Sequence, residues 1–189
     1  MCIRDSLVTD PSWSDLVSLD GTDNRDSDPE PEAGDDALKP DQLRFAAETD
    51  RGLQLLDAQG RPMSLPVQQH IGNFRHGYAL IYADGVNRMI DRQGKTYDLP
   101  DVFQTDIVAP GVVRFLKSAN ADAPWGLYDF VARKELVAPA FRHIGHFQNG
   151  QAVASLGADR VGVINMQGQW VLPASHYGIA RVNDKLWRV

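Results

Sequence analysis

The feature that most constrains this chain is an internal repeat. Residues 70–77, His-Ile-Gly-Asn-Phe-Arg-His-Gly, return at residues 143–150 as His-Ile-Gly-His-Phe-Gln-Asn-Gly, with five of eight positions identical. The two copies lie 73 residues apart, and a small residue follows each of them, Ala79 and Ala152. Self-similarity at a fixed spacing is typical of repeat architectures, so the period bears on the fold class more strongly than any local signal.

A second set of anchors repeats at about half that spacing. An Asp or Asn opens a four-residue step that ends three times in Gly and once in Ala, at intervals of 34, 38 and 36 residues. A proline and then an isoleucine follow each step, which predicts about four units of about 36 residues. The anchors are Asp57, Gly60, Pro66 and Ile71; Asp91, Gly94, Pro100 and Ile107; Asp129, Ala132, Pro139 and Ile144; and Asn165, Gly168, Pro173 and Ile179.

Each unit predicts β structure, because its apolar runs are short and several are bounded by turn residues. An Asp or Asn side chain can bond the backbone two residues on, and Gly accepts the positive φ that closes such a turn. In the Phe-x-x-Gly step of the two octads, we predict that Phe74 and Phe147 are buried and that Gly77 and Gly150 have positive φ. The expected fold is an all-β array of antiparallel meanders, either an open β-solenoid or a partial propeller.

The composition divides the chain into three parts. Residues 1–6 resemble the translation of a sequencing-library adapter, so we expect the true N-terminus to be missing. Residues 7–41 predict an acidic disordered linker, because Asp, Glu, Pro and Gly dominate residues 20–41 and apolar residues are nearly absent there. Residues 42–189 contain the repeats.

Two short stretches near the linker leave alternatives open. Trp13, Leu16, Val17 and Leu19 predict either a docking peptide or a frayed remnant, and we favour the remnant. Residues 43–48 predict the last strand of a partial unit, with a short helix that begins at Pro40 as the alternative.

The third unit resembles the WG repeat of bacterial proteins. It carries Trp125 and Gly126 ahead of Asp129, and then Pro139, an aromatic residue, an isoleucine, Phe147 and Gly150 in the family's order. The fourth unit keeps Gly162 but has Val in place of the Trp, and the first two units lack the Trp-Gly pair. The resemblance covers about residues 43–189, and it implies all-β repeats that are often attached to other domains, with no catalytic residues to carry over.

Metal binding and catalysis are not indicated. His143 and His146 lie three residues apart, but His70 occupies the same repeat position as His143, which favours a structural role. The periodic aspartates are explained by their turns, and Cys2 is the only cysteine. We therefore predict no catalytic, cofactor or metal site. The 11 acidic and 15 basic residues after residue 50 are scattered singly, so nucleic-acid binding is not indicated either.

Three aromatic residues invite a binding role. Trp187 lies eight residues after Ile179, as Phe115 lies eight after Ile107, and this equivalence favours core packing of Trp187. Tyr97 and Trp170 have no equivalent of the same character in the other units, so they are the possible contact residues.

The sequence thus predicts a non-catalytic module that binds a protein or another ligand. The alternatives are the accessory region of a multidomain enzyme and a cell-wall or carbohydrate-binding module. We expect the partner to be a protein or a cell-envelope ligand, and no stretch predicts a membrane span. The repeat phase also predicts that the last unit is cut short, which would favour self-association through its C-terminal edge.

Overall fold

The described residues of the computed structural model are all-β apart from a single-turn 3-10 helix at Pro40–Gln42. Its residues form two compact units, Met1–Asp98 and Leu99–Val189. The adapter-like residues 1–6 and most of the predicted linker lie outside the described part of the chain. The described residues are 16–20, 39–157, 159–183 and 186–189.

The first unit contains two antiparallel sheets. The first sheet has the order β1-β2-β3 and the second has the order β4-β5-β6-β7. Isolated bridges from Pro62 to Leu56 and from Gln68 to Leu53 extend the first sheet beside β3. The strands are β1 (Leu16–Ser18), β2 (Phe45–Thr49), β3 (Gly52–Leu56), β4 (His70–Ile71), β5 (Tyr78–Ala83), β6 (Val86–Asp91) and β7 (Thr96–Asp98).

The second unit contains two four-stranded antiparallel sheets and a strand pair. Their orders are β8-β9-β10-β11, β12-β13-β14-β15 and β16-β17, so consecutive strands are neighbours throughout. The strands are β8 (Gln104–Ala109), β9 (Val112–Leu116), β10 (Trp125–Asp129), β11 (Lys134–Phe141), β12 (His143–Ile144), β13 (Gln151–Ser155), β14 (Val161–Asn165), β15 (Trp170–His176), β16 (Ala180–Asn183) and β17 (Leu186–Arg188).

The Asp-x-x-Gly steps form turns with the same hydrogen bonds. At Asp91, one carboxylate oxygen accepts the N–H groups of Gln93 and Lys95 at 3.0 and 2.9 Å, and the Gly94 N–H donates to the Asp91 carbonyl. Asp57 and Asn165 accept the corresponding bonds. The glycines that close these three turns have φ of 72–87°.

The third turn differs from the expected alignment. Asp129 accepts the N–H of Ala132 at 2.7 Å, but the residue with positive φ is Arg133, one position later. Phe130 is fully buried in this turn. An extra residue is thus accommodated, so Ala132 is not the structural counterpart of the turn glycines.

The Phe-x-x-Gly steps are two-residue hairpins. His76 and Gly77 both have positive φ, as do Asn149 and Gly150, which is the mark of a type I′ turn. Phe74 and Phe147 are 6% and 5% exposed, so both predictions for this step are confirmed. The hairpin between β8, which contains Ile107, and β9 turns at Pro110 and Gly111, where only Gly111 has positive φ (76°).

Gly126 and Gly162 lie where neighbouring strands approach closely. A Cβ on Gly126 would be 2.7 Å from the Val137 carbonyl oxygen, and one on Gly162 would be 2.4 Å from that of Leu172. The strand register shifts beside each glycine. Packing space rather than positive φ therefore requires glycine at these positions.

One expectation near the linker was wrong and one was confirmed. Residues 16–18, inside the predicted linker, form strand β1 on the edge of the first sheet, and Leu19 is buried. They are therefore docked rather than frayed. Phe45–Thr49 forms a strand, as favoured over the helix, and β1 precedes it in the sheet as β4 precedes β5.

Each unit has its own apolar core. The core of the first unit includes Leu19, Leu55, Ile71, Phe74 and Ile90. The core of the second unit contains side chains from each of the strands β8 to β14. Within the described ranges, no helix is long and apolar enough to cross a membrane.

Candidate functional site

The N-terminal segment, residues 16–20, packs against the rest of the first unit although Asp20 and Arg44 are 24 positions apart in the sequence. Its backbone pairs antiparallel with β2, with Leu16 opposite Ala47 and Ser18 opposite Phe45. The side chains of Leu16 and Val17 are 37% and 56% exposed. The first three residues are therefore held mainly through their backbone.

Leu19 is the apolar anchor of the segment. Its side chain is 3% exposed and belongs to the core that contains Phe74 and Ile71. Its N–H donates to the Arg44 carbonyl at 3.0 Å, and its carbonyl accepts the Phe74 N–H at 2.9 Å. The segment is thus connected both to β2 and to the loop that follows β4.

Asp20 is the charged anchor. One carboxylate oxygen lies 2.5 Å from Arg92 Nη1, and the other accepts the Arg44 backbone N–H at 2.6 Å. The two side chains of the ion pair are 2% exposed for Asp20 and 7% for Arg92. A carboxylate and a guanidinium buried to this extent are stable only as a pair with further hydrogen bonds.

Arg92 and Arg44 supply part of those bonds, while Asp20 Oδ1 is held by the charge of Arg92 without a hydrogen bond. The Arg92 guanidinium also donates to the Gln42 carbonyl at 2.9 Å and lies 4.7 Å from the centre of the Phe74 ring. The Arg44 guanidinium donates through Nε and Nη2 to the Arg92 carbonyl. Burial, and then the like charge of Arg92, lower the pKa of Arg44. The surroundings of Asp20 are therefore rich in positive charge.

We call this site the groove; it consists of the edge of β2 with Phe74, Arg44 and Arg92. It can hold an extended peptide through the backbone, an apolar pocket and a carboxylate pocket. No reacting group is part of it.

Arg92 is unusual for its place in the fold. It follows the Asp that opens its turn, and the corresponding residues of the other turns are Ala58, Phe130 and Met166. Phe130 is fully buried, and Met166 packs against the core of the second unit. An arginine thus stands where the other turns place an apolar side chain.

Asp20 is unusual in the same way. The Phe74 N–H donates to the Leu19 carbonyl, and the Phe147 N–H donates to the Val108 carbonyl, so Leu19 and Val108 correspond. The residue after Val108 is Ala109, which is 4% exposed. At the positions of Asp20 and Arg92 the second unit therefore has two apolar residues, the buried Ala109 and the partly buried Met166.

The two predicted contact residues lie elsewhere and both are partly buried. The Tyr97 hydroxyl donates to Asp91 at 2.9 Å, and its ring meets the Tyr78 ring edge-on at 5.7 Å. Burial and then the Asp91 carboxylate raise the pKa of Tyr97 to about 12. Trp170 lies edge-on to Phe141 at 5.6 Å and packs against the core of the second unit.

Trp187 was expected to be buried as Phe115 is, and this expectation was wrong. Phe115 is 1% exposed, whereas Trp187 is only partly buried. Its indole N–H donates to the Gln151 side chain at 3.1 Å, and the Arg181 guanidinium lies 5.4 Å from its ring centre. The polar indole explains this intermediate position, because it needs a hydrogen-bond partner.

Other residues that repeat along the chain have roles in the fold rather than in a binding site. Pro139 and Pro173 lie within β11 and β15, the outer strands of their sheets, where a missing N–H leaves no ladder bond unmade. The two histidines stand in equivalent positions. An ideal Cβ on Gly72 would lie 3.7 Å from His70 Nε2, and one on Gly145 would lie 3.7 Å from His143 Nε2. Among the residues that the structure describes, no three His, Cys, Asp or Glu side chains cluster as metal ligands would.

Sequence reasoning missed Asp20 and Arg92. Asp20 lies at the start of an acidic segment that predicts disorder. Arg92 lies between Asp91 and Gly94, and only those two residues of the turn repeat along the chain. The available signal was the single charge among Ala58, Arg92, Phe130 and Met166 at one position of the repeat.

Comparison with protein-family models, with curated proteins and with solved structures gave no match.

Proposed function

We propose that this chain is a non-catalytic interaction module that binds an extended protein segment by adding it as an edge strand to its first sheet. In this proposal the antiparallel meanders are tandem WG-like repeats, which form an open solenoid or a partial propeller. The groove is the binding site, and residues 16–20 occupy it as an intramolecular ligand.

The observation that carries the proposal is how residues 16–20 are held. Strand addition gives affinity through the main chain, and pockets for selected side chains give specificity. Both components are present, because β1 pairs with β2 while Leu19 and Asp20 enter buried pockets.

The connection between the segment and β2 is also relevant. In the second unit, β8 reaches β9 through a tight turn at Pro110 and Gly111, which builds the first strand into its sheet. In the first unit the corresponding connection runs from residue 19 to residue 44. The first strand is thus attached by a long tether, and a tethered strand can be replaced by a free one.

A cleavage experiment on the full chain tests the proposal. A recognition sequence for a specific protease is inserted between residues 28 and 29, and the folded chain is cleaved there. A fluorescent peptide that spans residues 13–21 is then added, and its binding is followed by anisotropy.

We expect the released N-terminal piece to co-elute with the body before peptide is added. We also expect the labelled peptide to exchange into the groove, with weaker binding to the uncleaved chain because the tethered segment competes. A scrambled peptide of the same composition is the control. The proposal is contradicted if the piece separates from a folded body and the labelled peptide does not bind.

A further inference from the structure

The groove imposes different demands on the successive residues of its ligand. Residues 16–18 contribute backbone pairing, and the side chains of all three are exposed. Leu19 and Asp20 are the buried positions. Any selection among ligands must therefore act on the last two residues of the segment.

The fifth position requires negative charge. Its side chain meets the Arg92 guanidinium at 2.5 Å and the Arg44 N–H at 2.6 Å, away from water. A neutral residue there would leave Arg92 as a buried cation without its counterion, which is strongly unfavourable. An isosteric amide such as Asn keeps the shape of Asp but removes the charge.

The fourth position requires an apolar side chain of suitable size. Leu19 lies in the core formed with Phe74, Ile71 and Ala79, and its counterpart in the second unit is the fully buried Val108. A polar residue there would be buried without a partner, and Ala would leave a cavity.

We infer that the partner of this groove is a protein segment that runs extended for three residues and ends in Leu-Asp, with the Asp recognised by Arg92. This inference rests on the proposed function and names its partner class. The ion pair stands where the second unit has the apolar pair Ala109 and Met166, and a buried charge rejects partners that lack the opposite charge. Residues 16–20 carry the same Leu-Asp and thus block the site against weaker ligands.

Peptide competition tests this inference on the cleaved full chain. Unlabelled peptides that span residues 13–21 compete with the labelled wild-type peptide, and each carries one change: Asp20→Asn, Asp20→Ala, Leu19→Ala or Val17→Thr. We expect the first three changes to weaken competition at least tenfold, because buried contacts are lost. Val17→Thr is the matched control, since Val17 is exposed, and should stay within about threefold of wild type.

A change in the groove provides the reciprocal test. In the cleaved chain with Arg92→Met, which installs the residue of the second unit, we expect the Asp20→Ala peptide to bind more tightly than the wild-type peptide. Circular dichroism establishes that this variant is folded before binding is measured. If it does not fold, the peptide series on the unmodified groove decides alone.

The outcomes separate the two claims. Equal competition by the wild-type, Asn and Ala peptides overturns the Leu-Asp inference but leaves strand binding intact. Absence of binding by every peptide, the wild type included, overturns the proposed function itself.

Discussion

Replacing Gly126 by Ala tests the close approach between β10 and β11. The added Cβ would lie 2.7 Å from the Val137 carbonyl oxygen and 2.8 Å from two ring atoms of Phe115. Neither neighbour can move easily, because one is strand backbone and the other is a side chain that is 1% exposed. Overpacking of a core usually costs about 1–3 kcal/mol, and we expect the upper part of that range, about 2–3 kcal/mol.

Urea unfolding followed by circular dichroism measures this loss. The matched control is Gly157→Ala, because Gly157 is exposed and nothing lies within 4 Å of its added Cβ. The control should change the free energy of unfolding by less than about 0.5 kcal/mol. If Gly126→Ala is as mild as the control, the two strands are not as close as described and our account of Gly126 is wrong.

Three further predictions concern single side chains. Gly150→Ala should cost about 1 kcal/mol, because φ is 74° and no atom lies near the new Cβ, so backbone strain acts alone; no loss in urea unfolding would refute the turn. Phe147→Ala should cost about 3–5 kcal/mol in the same assay, and a loss below about 1 kcal/mol would contradict its burial. Tyr97 should ionise near pH 12, so its contribution to stability is complete below pH 10 and is lost as the pH rises through 12. In a pH titration followed by tyrosinate absorbance, the phase near pH 12 should be absent from Tyr97→Phe. If the phase that this variant lacks is centred near pH 10 instead, the prediction is contradicted.

Much of the strand arrangement could be predicted from the sequence because local chemistry determines it. The Asp-x-x-Gly turns form wherever the side chain of Asp57, Asp91 or Asn165 can bond the next backbone N–H groups. The type I′ turns that end in Gly77 and Gly150 need positive φ, which Gly supplies. These requirements act within a few residues, so they are visible in a single chain.

The groove could not be predicted because it depends on a contact between distant residues. Asp20 and Arg92 are 72 positions apart, and each has an ordinary local explanation, one as part of an acidic tail and the other as a turn residue. Residues 16–20 hold three apolar side chains, but the acidic residues 20–41 follow them, so composition favoured a frayed remnant beside a disordered linker. Pairing with β2, burial of Leu19 and the contacts of Asp20 with Arg92 and Arg44 stabilise them as a strand.

A double-mutant cycle between Asp20 and Arg92 tests the central claim most directly. The variants are Asp20→Ala, Arg92→Met and the two together, and the free energy of unfolding of each is measured in urea. Breaking a buried pair from one side costs about 3–5 kcal/mol, whereas apolar replacement of both partners is often neutral.

We therefore predict that each single variant is destabilised by about 3 kcal/mol or more and that the double variant returns to within about 1 kcal/mol of the original chain. This recovery is expected because Ala109 and Met166 already fill the corresponding positions of the second unit. Two small losses that simply add in the double variant would show that Asp20 and Arg92 are not paired, and the groove as described would be wrong.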